Sequence, residues 1–257
     1  MSVKSKIEWT DATWNPVRGC TKVSPGCKNC YAETFSAERF RGVKGHPFEQ
    51  GFDLRLVPEK LSVPQQWKKG RQIFVNSMSD LFHEGAADEY IGRVVKAMMS
   101  AKQHTYQVLT KRAVRMCELL NSKLQFAAHS SHIWWGVSAG DKKYGVPRIE
   151  HLRRADVAVR FVSVEPLLED IGDFDLNGLD WVIVGGETGV RARSFDLDWA
   201  RSIIRQCSDQ QVACFLKQVG RRPVENGKLL KLVGRKGCDW NEWPGDLRVR
   251  QFPNVEN

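Results

Sequence analysis

Trp181-Val182-Ile183-Val184-Gly185-Gly186-Glu187 is apolar on both sides of an extended chain for four residues, then turns at once to two glycines and a carboxylate. A strand hydrophobic on both faces has to be covered on both, as in a parallel sheet wrapped by helices. The pattern recurs. Gln72-Ile73-Phe74-Val75-Asn76-Ser77, Ile133-Trp134-Trp135-Gly136-Val137-Ser138 and residues 105–109, 159–164 and 212–216 read as further buried strands, and residues 7–18 hold a first one. Between them lie stretches with helical spacing of apolar residues. Ile91, Val94, Val95, Met98 and Met99 follow Asp88; Ala113, Met116, Cys117 and Leu120 lie in a helix over 112–121; Ile149 and Leu152 follow Pro147; Ala200, Ile203, Ile204 and Cys207 follow Asp196. Asp88 and Asp196 are expected N-caps, and Pro147 a helix start.

The expected architecture is therefore α/β: a partial (β/α) barrel of about six or seven parallel strands over residues 1–218, followed by an irregular C-terminal extension over 219–257 packed on the barrel by Trp240 and Trp243. A chain of 257 residues suits one such barrel. Trp134 and Trp135 must face opposite sides of their strand, with core packing expected and base stacking the alternative for one of them.

In a parallel α/β barrel the C-terminal ends of the strands meet at one face, where sites are built from several loops. Asn76, Ser77, Ser79, Asp80, Thr110, Lys111, Ser138, Glu165, Gly185, Gly186, Glu187, Lys217 and Gln218 all fall at or just after strand ends. The same face receives Gly19-Cys20-Thr21-Lys22-Val23-Ser24-Pro25-Gly26-Cys27-Lys28-Asn29-Cys30-Tyr31. Six residues separate Cys20 from Cys27 and two separate Cys27 from Cys30, whereas the other four of the seven cysteines are scattered singly. Thiolates suit zinc, copper(I) and iron–sulfur clusters. Three of them around a four-iron cube leave one iron open to a further ligand. Residues 31–40 read as a helix, whose N-terminal N–H groups and dipole would favour the negative charge of such a centre. On residues alone three other readings stay open: a redox dithiol of Cys27 and Cys30, a zinc site completed by His46 or His83, and inert buried thiols.

The net charge is +9, with basic groups at Lys68, Lys69 and Arg71, at Lys111, Arg112 and Arg115, at Lys142, Lys143 and Arg148, at Arg221 and Arg222, and at Arg235 and Lys236. Sharing a face, they would form a phosphate-binding footprint for DNA or RNA; dispersed, they only solvate the surface. No run of eighteen apolar residues and no leader pattern over residues 1–10 occurs, so a membrane is not expected as partner. An odd number of cysteines without a disulfide-framework spacing points to a reducing, cytoplasmic setting.

A three-cysteine loop after a first strand, followed by a β/α partial barrel, resembles the radical S-adenosylmethionine superfamily. Within it, the chain is similar to a bacteriophage-associated family with this wider first gap and a Cys-Tyr-Ala-Glu ending. The likeness rests on Trp14-Asn15-Pro16, Leu109-Thr110-Lys111-Arg112, Gly136-Val137-Ser138, Val164-Glu165-Pro166-Leu167-Leu168, Val184-Gly185-Gly186-Glu187, Phe215-Leu216-Lys217-Gln218 and Trp240-Asn241-Glu242-Trp243-Pro244. The first gap is six residues instead of the superfamily's usual three, and Ala139 and Gly140 stand where such relatives continue with Val and Glu.

The resemblance implies that Cys20, Cys27 and Cys30 bind a [4Fe–4S] cluster whose fourth iron is chelated by S-adenosylmethionine, and that its one-electron cleavage gives a 5′-deoxyadenosyl radical. Ser77, Ser79 and Asp80 would then meet the methionyl amino group, Lys111 its carboxylate, Ser138 and Glu165 the ribose hydroxyls, and the backbone at Gly185 and Gly186 the adenine. An electron donor such as flavodoxin or ferredoxin is implied, and superfamily barrels that act on nucleic acids point to modification or repair of DNA or RNA. The alternative from another class is a zinc-stabilised nucleic-acid-binding module without catalysis.

Overall fold

Seven strands pair side by side, every neighbour parallel: β1 (Ala12–Trp14), β2 (Gln72–Val75), β3 (Thr105–Thr110), β4 (Ile133–Ser138), β5 (Val159–Val164), β6 (Trp181–Gly185) and β7 (Ala213–Gln218). The structure is a computed structural model and describes residues 5–255, so the first four residues of the stretch inspected for a leader fall outside it. Register sets Phe74, Gln107 and Trp134 abreast, and Phe161, Trp181 and Ala213 abreast. The Trp9 indole lies 4.7 Å from the Phe74 ring and 6.0 Å from that of Trp181. One side chain thus spans from β2 to β6, which requires the sheet to curl. The result is a half-barrel: β1 and β7 stand at opposite ends of the strand order without pairing to each other.

Alternation along each strand then separates two cores. Trp9, Phe74, Trp134, Phe161, Trp181, Ile183 and Phe215 fill the concave lumen. Val75, Val108, Trp135, Val137, Val162, Val182 and Leu216 face outward and pack with the helices. Trp134 and Trp135 go to opposite sides, and both are core. The outer layer is α1 (Asp88–Met99), α2 (Ala113–Leu120), α3 (Val146–Arg154) and α4 (Leu197–Asp209), each presenting its apolar stripe to the convex face. Among the described residues, no helix is long and apolar enough to cross a membrane.

Three local expectations are corrected. Asp196 caps α4, accepting from Asp198 N at 3.0 Å, but Asp88 is not a cap. It is the first helical residue of α1, and its carboxylate is drawn to Arg115 and Lys123, each at 2.7 Å. The helix expected over 31–40 covers those residues, but after Tyr31–Glu33 it widens into a π turn over Thr34–Glu38. Ser36 Oγ donates to Ala32 O at 2.6 Å and competes for a main-chain acceptor that a regular turn would use. Of the two tryptophans expected to pack the C-terminal extension, Trp243 is buried, whereas Trp240 is 39% exposed, its ring 5.3 Å from the Arg250 guanidinium. The extension is joined to the barrel by main-chain pairing as well. Leu216 N donates to Val249 O and Gln251 N to Cys214 O, both at 2.8 Å, laying residues 249–251 antiparallel along β7.

Candidate functional site

Continuing the lumen-facing alternation past the aromatic tier brings Lys111, Ser138, Ser163, Glu165, Gly185 and Lys217 to the open end of the half-barrel. Ser138 Oγ donates to Glu165 O at 2.7 Å, and Glu165 Oε1 accepts from Lys217 Nζ at 2.7 Å and Gln218 Nε2 at 3.2 Å. A side chain at Gly185 would press on this group, with its Cβ 3.2 Å from Glu165 Oε1 and 2.8 Å from Gln218 Nε2. At Gly186 the missing Cβ faces Phe195 at 3.0 Å. Both glycines are therefore required first by neighbours within the chain.

The polar cluster after β2 is also engaged internally. Asp80 accepts from Phe82 N at 3.0 Å, Thr110 Oγ1 at 2.6 Å, Lys111 N at 3.1 Å and Arg112 Nη1 at 3.1 Å. Ser79 Oγ donates to Val17 O at 2.7 Å, and the Ser77 hydroxyl meets the Asn15 amide at 3.3 Å. Lys111 differs: among the described residues its ammonium has no hydrogen-bond or ion-pair partner, and its Cε stands 3.6 Å from where a Cβ of Gly26 would lie.

That contact places the cysteine loop over the mouth, where it is fastened at both rims. On the β2–β3 side, Gly19 bridges to Ser79 with φ +76°, and a side chain there would overlap the Asp53 carbonyl. Cys20 N donates to Phe52 O at 3.2 Å. Arg112, buried beside Asp80, donates from Nη1 to Cys20 Sγ at 3.4 Å and from Nη2 to Thr21 Oγ1 at 2.9 Å, while its Nε is held by Glu84 at 2.8 Å. On the β6 side, Asn29 Nδ2 donates to Glu187 Oε2 at 3.0 Å and to Arg191 O at 2.8 Å. Arg193 grips the same carboxylate through its backbone N at 2.8 Å and its guanidinium, and reaches Pro25 O at 3.1 Å. Tyr31, next to Cys30, donates its hydroxyl to Ser77 O.

The three thiols of the loop are free, and each is partly accessible. Their surroundings differ. Burial and the nearby Asp80 carboxylate push the Cys20 thiol up to about 11, although Arg112 opposes them. At Cys27 burial works against ionisation, but the Lys111 ammonium and hydrogen bonds from the Val23 and Ser24 backbone outweigh it and hold the thiol below the ordinary cysteine range. The Arg112 guanidinium loses solvation, yet Asp80 and the Cys20 sulfur more than restore its charge. Glu187 is likewise desolvated, and Arg193 and Asn29 still hold its carboxyl below the ordinary glutamate range.

Among the described residues, no three His, Cys, Asp or Glu side chains converge closely enough for one metal ion. The two candidate fourth ligands are occupied elsewhere. His83 Nε2 bonds Thr21 Oγ1 at 3.0 Å, and the His46 ring stacks on Phe40 at 3.7 Å. The three sulfurs do not converge on one point, which a closed zinc site requires and a larger four-iron cube does not.

Arg112 was not singled out as a site residue on sequence grounds, and Glu187 only as one of the polar residues at strand ends. Arg112 lies in a run of basic residues that reads as solvated surface; the usable signal was its place directly after a strand, next to Lys111. Glu187 ends the Gly-Gly strand terminus, and only the fold reveals that it reaches back to Asn29. The departure at Gly140 also has a physical cause: a Cβ there would overlap the Pro166 carbonyl, and Gly140 O accepts from Leu168 N at 2.9 Å. No side chain fits at Gly140.

Residues 4–244 match the model of a family described as "Protein of unknown function (DUF5131)". No curated protein matches the chain. Among solved structures, spore photoproduct lyase complexed with dinucleoside spore photoproduct aligns with a TM-score of 0.43 and 14% identity, over 74% of this chain. The alignment spans 58% of that enzyme's chain.

Proposed function

The chain belongs to the DUF5131 family, and we propose that it is a radical S-adenosylmethionine enzyme whose Cys20, Cys27 and Cys30 hold a [4Fe–4S] cluster at the mouth of the half-barrel. The observation that carries the reading is the loop itself: three free thiols on one segment, fastened at both rims of a parallel barrel, with cations against two of them. When bound, the reduced cluster supplies the single electron that cleaves S-adenosylmethionine and opens hydrogen-atom abstraction from a substrate.

This chain's part is to bind, orient and exclude. Arg112 fixes the Cys20 sulfur and lowers the cost of negative charge there, since hydrogen bonds to cluster sulfurs set their potential. Lys111 is the cation left for the methionyl carboxylate, while Ser138 and Glu165 stand ready for ribose hydroxyls. Gly185 and Gly186 make room for Gln218, Glu165 and Phe195, and would offer the adenine their backbone alone. Asp80, Ser77 and Ser79, expected at the methionyl amino group, serve here chiefly by holding Arg112, Lys111 N and the loop base in place. Below this tier, Phe161, Ile183 and Phe215 close the lumen with apolar surface, which keeps water from the reacting groups.

The substrate class this reading favours is nucleic acid, on the strength of the net charge of +9; the electron comes from a donor such as flavodoxin or ferredoxin. Anaerobic reconstitution of the full chain tests the reading. Four irons with matching sulfide are expected, lost on Cys30→Ala, with 5′-deoxyadenosine formed on reduction with S-adenosylmethionine. One zinc without sulfide, or iron content unchanged in Cys30→Ala, overturns it.

A further inference from the structure

The segment leaving β7 carries positive charge that its own carboxylates do not neutralise. Arg221, Arg222, Lys228, Lys231, Arg235 and Lys236 are all exposed. Each acidic side chain described in the C-terminal extension is committed elsewhere. Glu225 and Asp246 both bind Arg201, at 2.6 Å each. Asp239 accepts from Asn241 N at 3.0 Å, and Glu242 accepts from Val233 N at 2.9 Å, stiffening the turn at Gly234 without touching a basic side chain. Among the described residues, none of the six cations has an ion-pair partner.

The flap is pinched at its neck. Gly220 and Gly237 have φ of +75° and +62°, and a Cβ on Gly237 would overlap the Gly220 carbonyl. Val219 N donates to Gly237 O at 3.1 Å, closing the two ends around a short hairpin in which Val224 and Glu225 pair antiparallel with Leu229 and Lys228. The neck stands on the rim of the mouth: Arg221 N donates to Glu187 O at 2.8 Å, and Phe195 N to Arg222 O at 3.0 Å. Glu187 is the residue that also fastens Asn29 of the cysteine loop. Unpaired cations on a preformed loop beside the reaction site meet the requirement for recognising a regularly spaced polyanion.

We propose that residues 220–237 form the docking surface for the phosphodiester backbone of a nucleic acid, which they hold across the mouth. The proposal rests on the reading of the mouth as the reaction site for its purpose, but its test is independent of that reading. Exposed Leu229 and Val233 lie on the same flap, available to the apolar faces of sugars and bases.

The test is fluorescence anisotropy of the full chain with labelled single-stranded DNA, single-stranded RNA and duplex DNA of equal length across a salt series. The expected result is binding to at least one of them that weakens as salt rises. Substituting Arg221→Gln, Arg235→Gln and Lys236→Gln together should weaken it tenfold or more and lower the log–log salt slope by about 2 to 3, at roughly 0.7–0.9 per phosphate contact. A control combining Lys68→Gln, Lys69→Gln and Lys102→Gln removes equal charge at the N-terminal end of β2 and β3 and should leave affinity within about twofold.

Absence of binding to all three oligonucleotides at low salt overturns the proposal. So does a flap variant that binds like the parent, a control that loses as much, or polyglutamate that displaces the oligonucleotide as well as an unlabelled copy does. Iron content measured on the same samples separates the two readings. Flap-independent binding with a full cluster overturns this inference alone, whereas flap-dependent binding without a cluster overturns the reaction alone.

Discussion

Arg112 concentrates the logic of the site in one side chain. It is buried with Asp80, and the pair is tied further to Thr110, Glu84, Thr21 and Cys20. Removing one member of a buried ion pair leaves the other charged and desolvated, at a cost of about 3–5 kcal/mol. Arg112→Met should therefore lower the unfolding free energy by about that amount in urea denaturation, and Arg112→Lys should recover part of it while failing to restore the forked contacts. A loss below about 1 kcal/mol for Arg112→Met would mean that the pair is solvated and contributes little. Residue identity alone could not reveal this. Arg112 stands in a basic run with Lys111 and Arg115, and whether an arginine in such a run is surface or centre depends on the carboxylate that the preceding strand brings alongside it.

Elements were legible to the degree that their own residues decide them. Ile133–Ser138 and Val159–Val164 have the bounds expected from their unbroken apolar runs, because such runs have nowhere to go but a covered sheet. The helix after Cys30 covers the residues expected of it, but its π turn was not legible at that level: Ser36 redirects a hydrogen bond within Thr34–Glu38. Asp88 and Asp196 look alike as caps in sequence, yet partners from elsewhere recruit only Asp88.

The Glu187 fastening belongs to this scale too, since it joins the end of β6 to the cysteine loop. Its carboxyl is held below the ordinary glutamate range, so the folded chain gains stability from it at pH values above the unfolded value, and the gain disappears as pH falls through the folded one. Comparing the parent with Glu187→Gln, the difference in urea midpoint should stay constant from pH 7 to pH 5 and shrink below about pH 4.3. A difference that grows on acidification would reverse the sign and exclude the ion pair as its source.

At the scale of the whole molecule, seven parallel strands were readable because each repeats the same apolar-then-polar sequence, while the curl was not. It follows from Trp9 reaching both Phe74 and Trp181, a contact between residues far apart in the chain. The same holds for residues 249–251, whose main-chain pairing covers the free side of β7. An uncovered strand invites pairing with another copy. A chain ending at Leu247 should accordingly self-associate, seen as a higher apparent mass and increased scattering in size-exclusion chromatography; a monodisperse product of the parent's association state would show that the cover is dispensable.

The crossing above the mouth is secured by Gly19, Cys20 N, Pro25 O and the Asn29 amide, none of which uses sulfur. The loop's path is therefore fixed by main-chain and amide contacts, and replacing a thiol should leave that path standing.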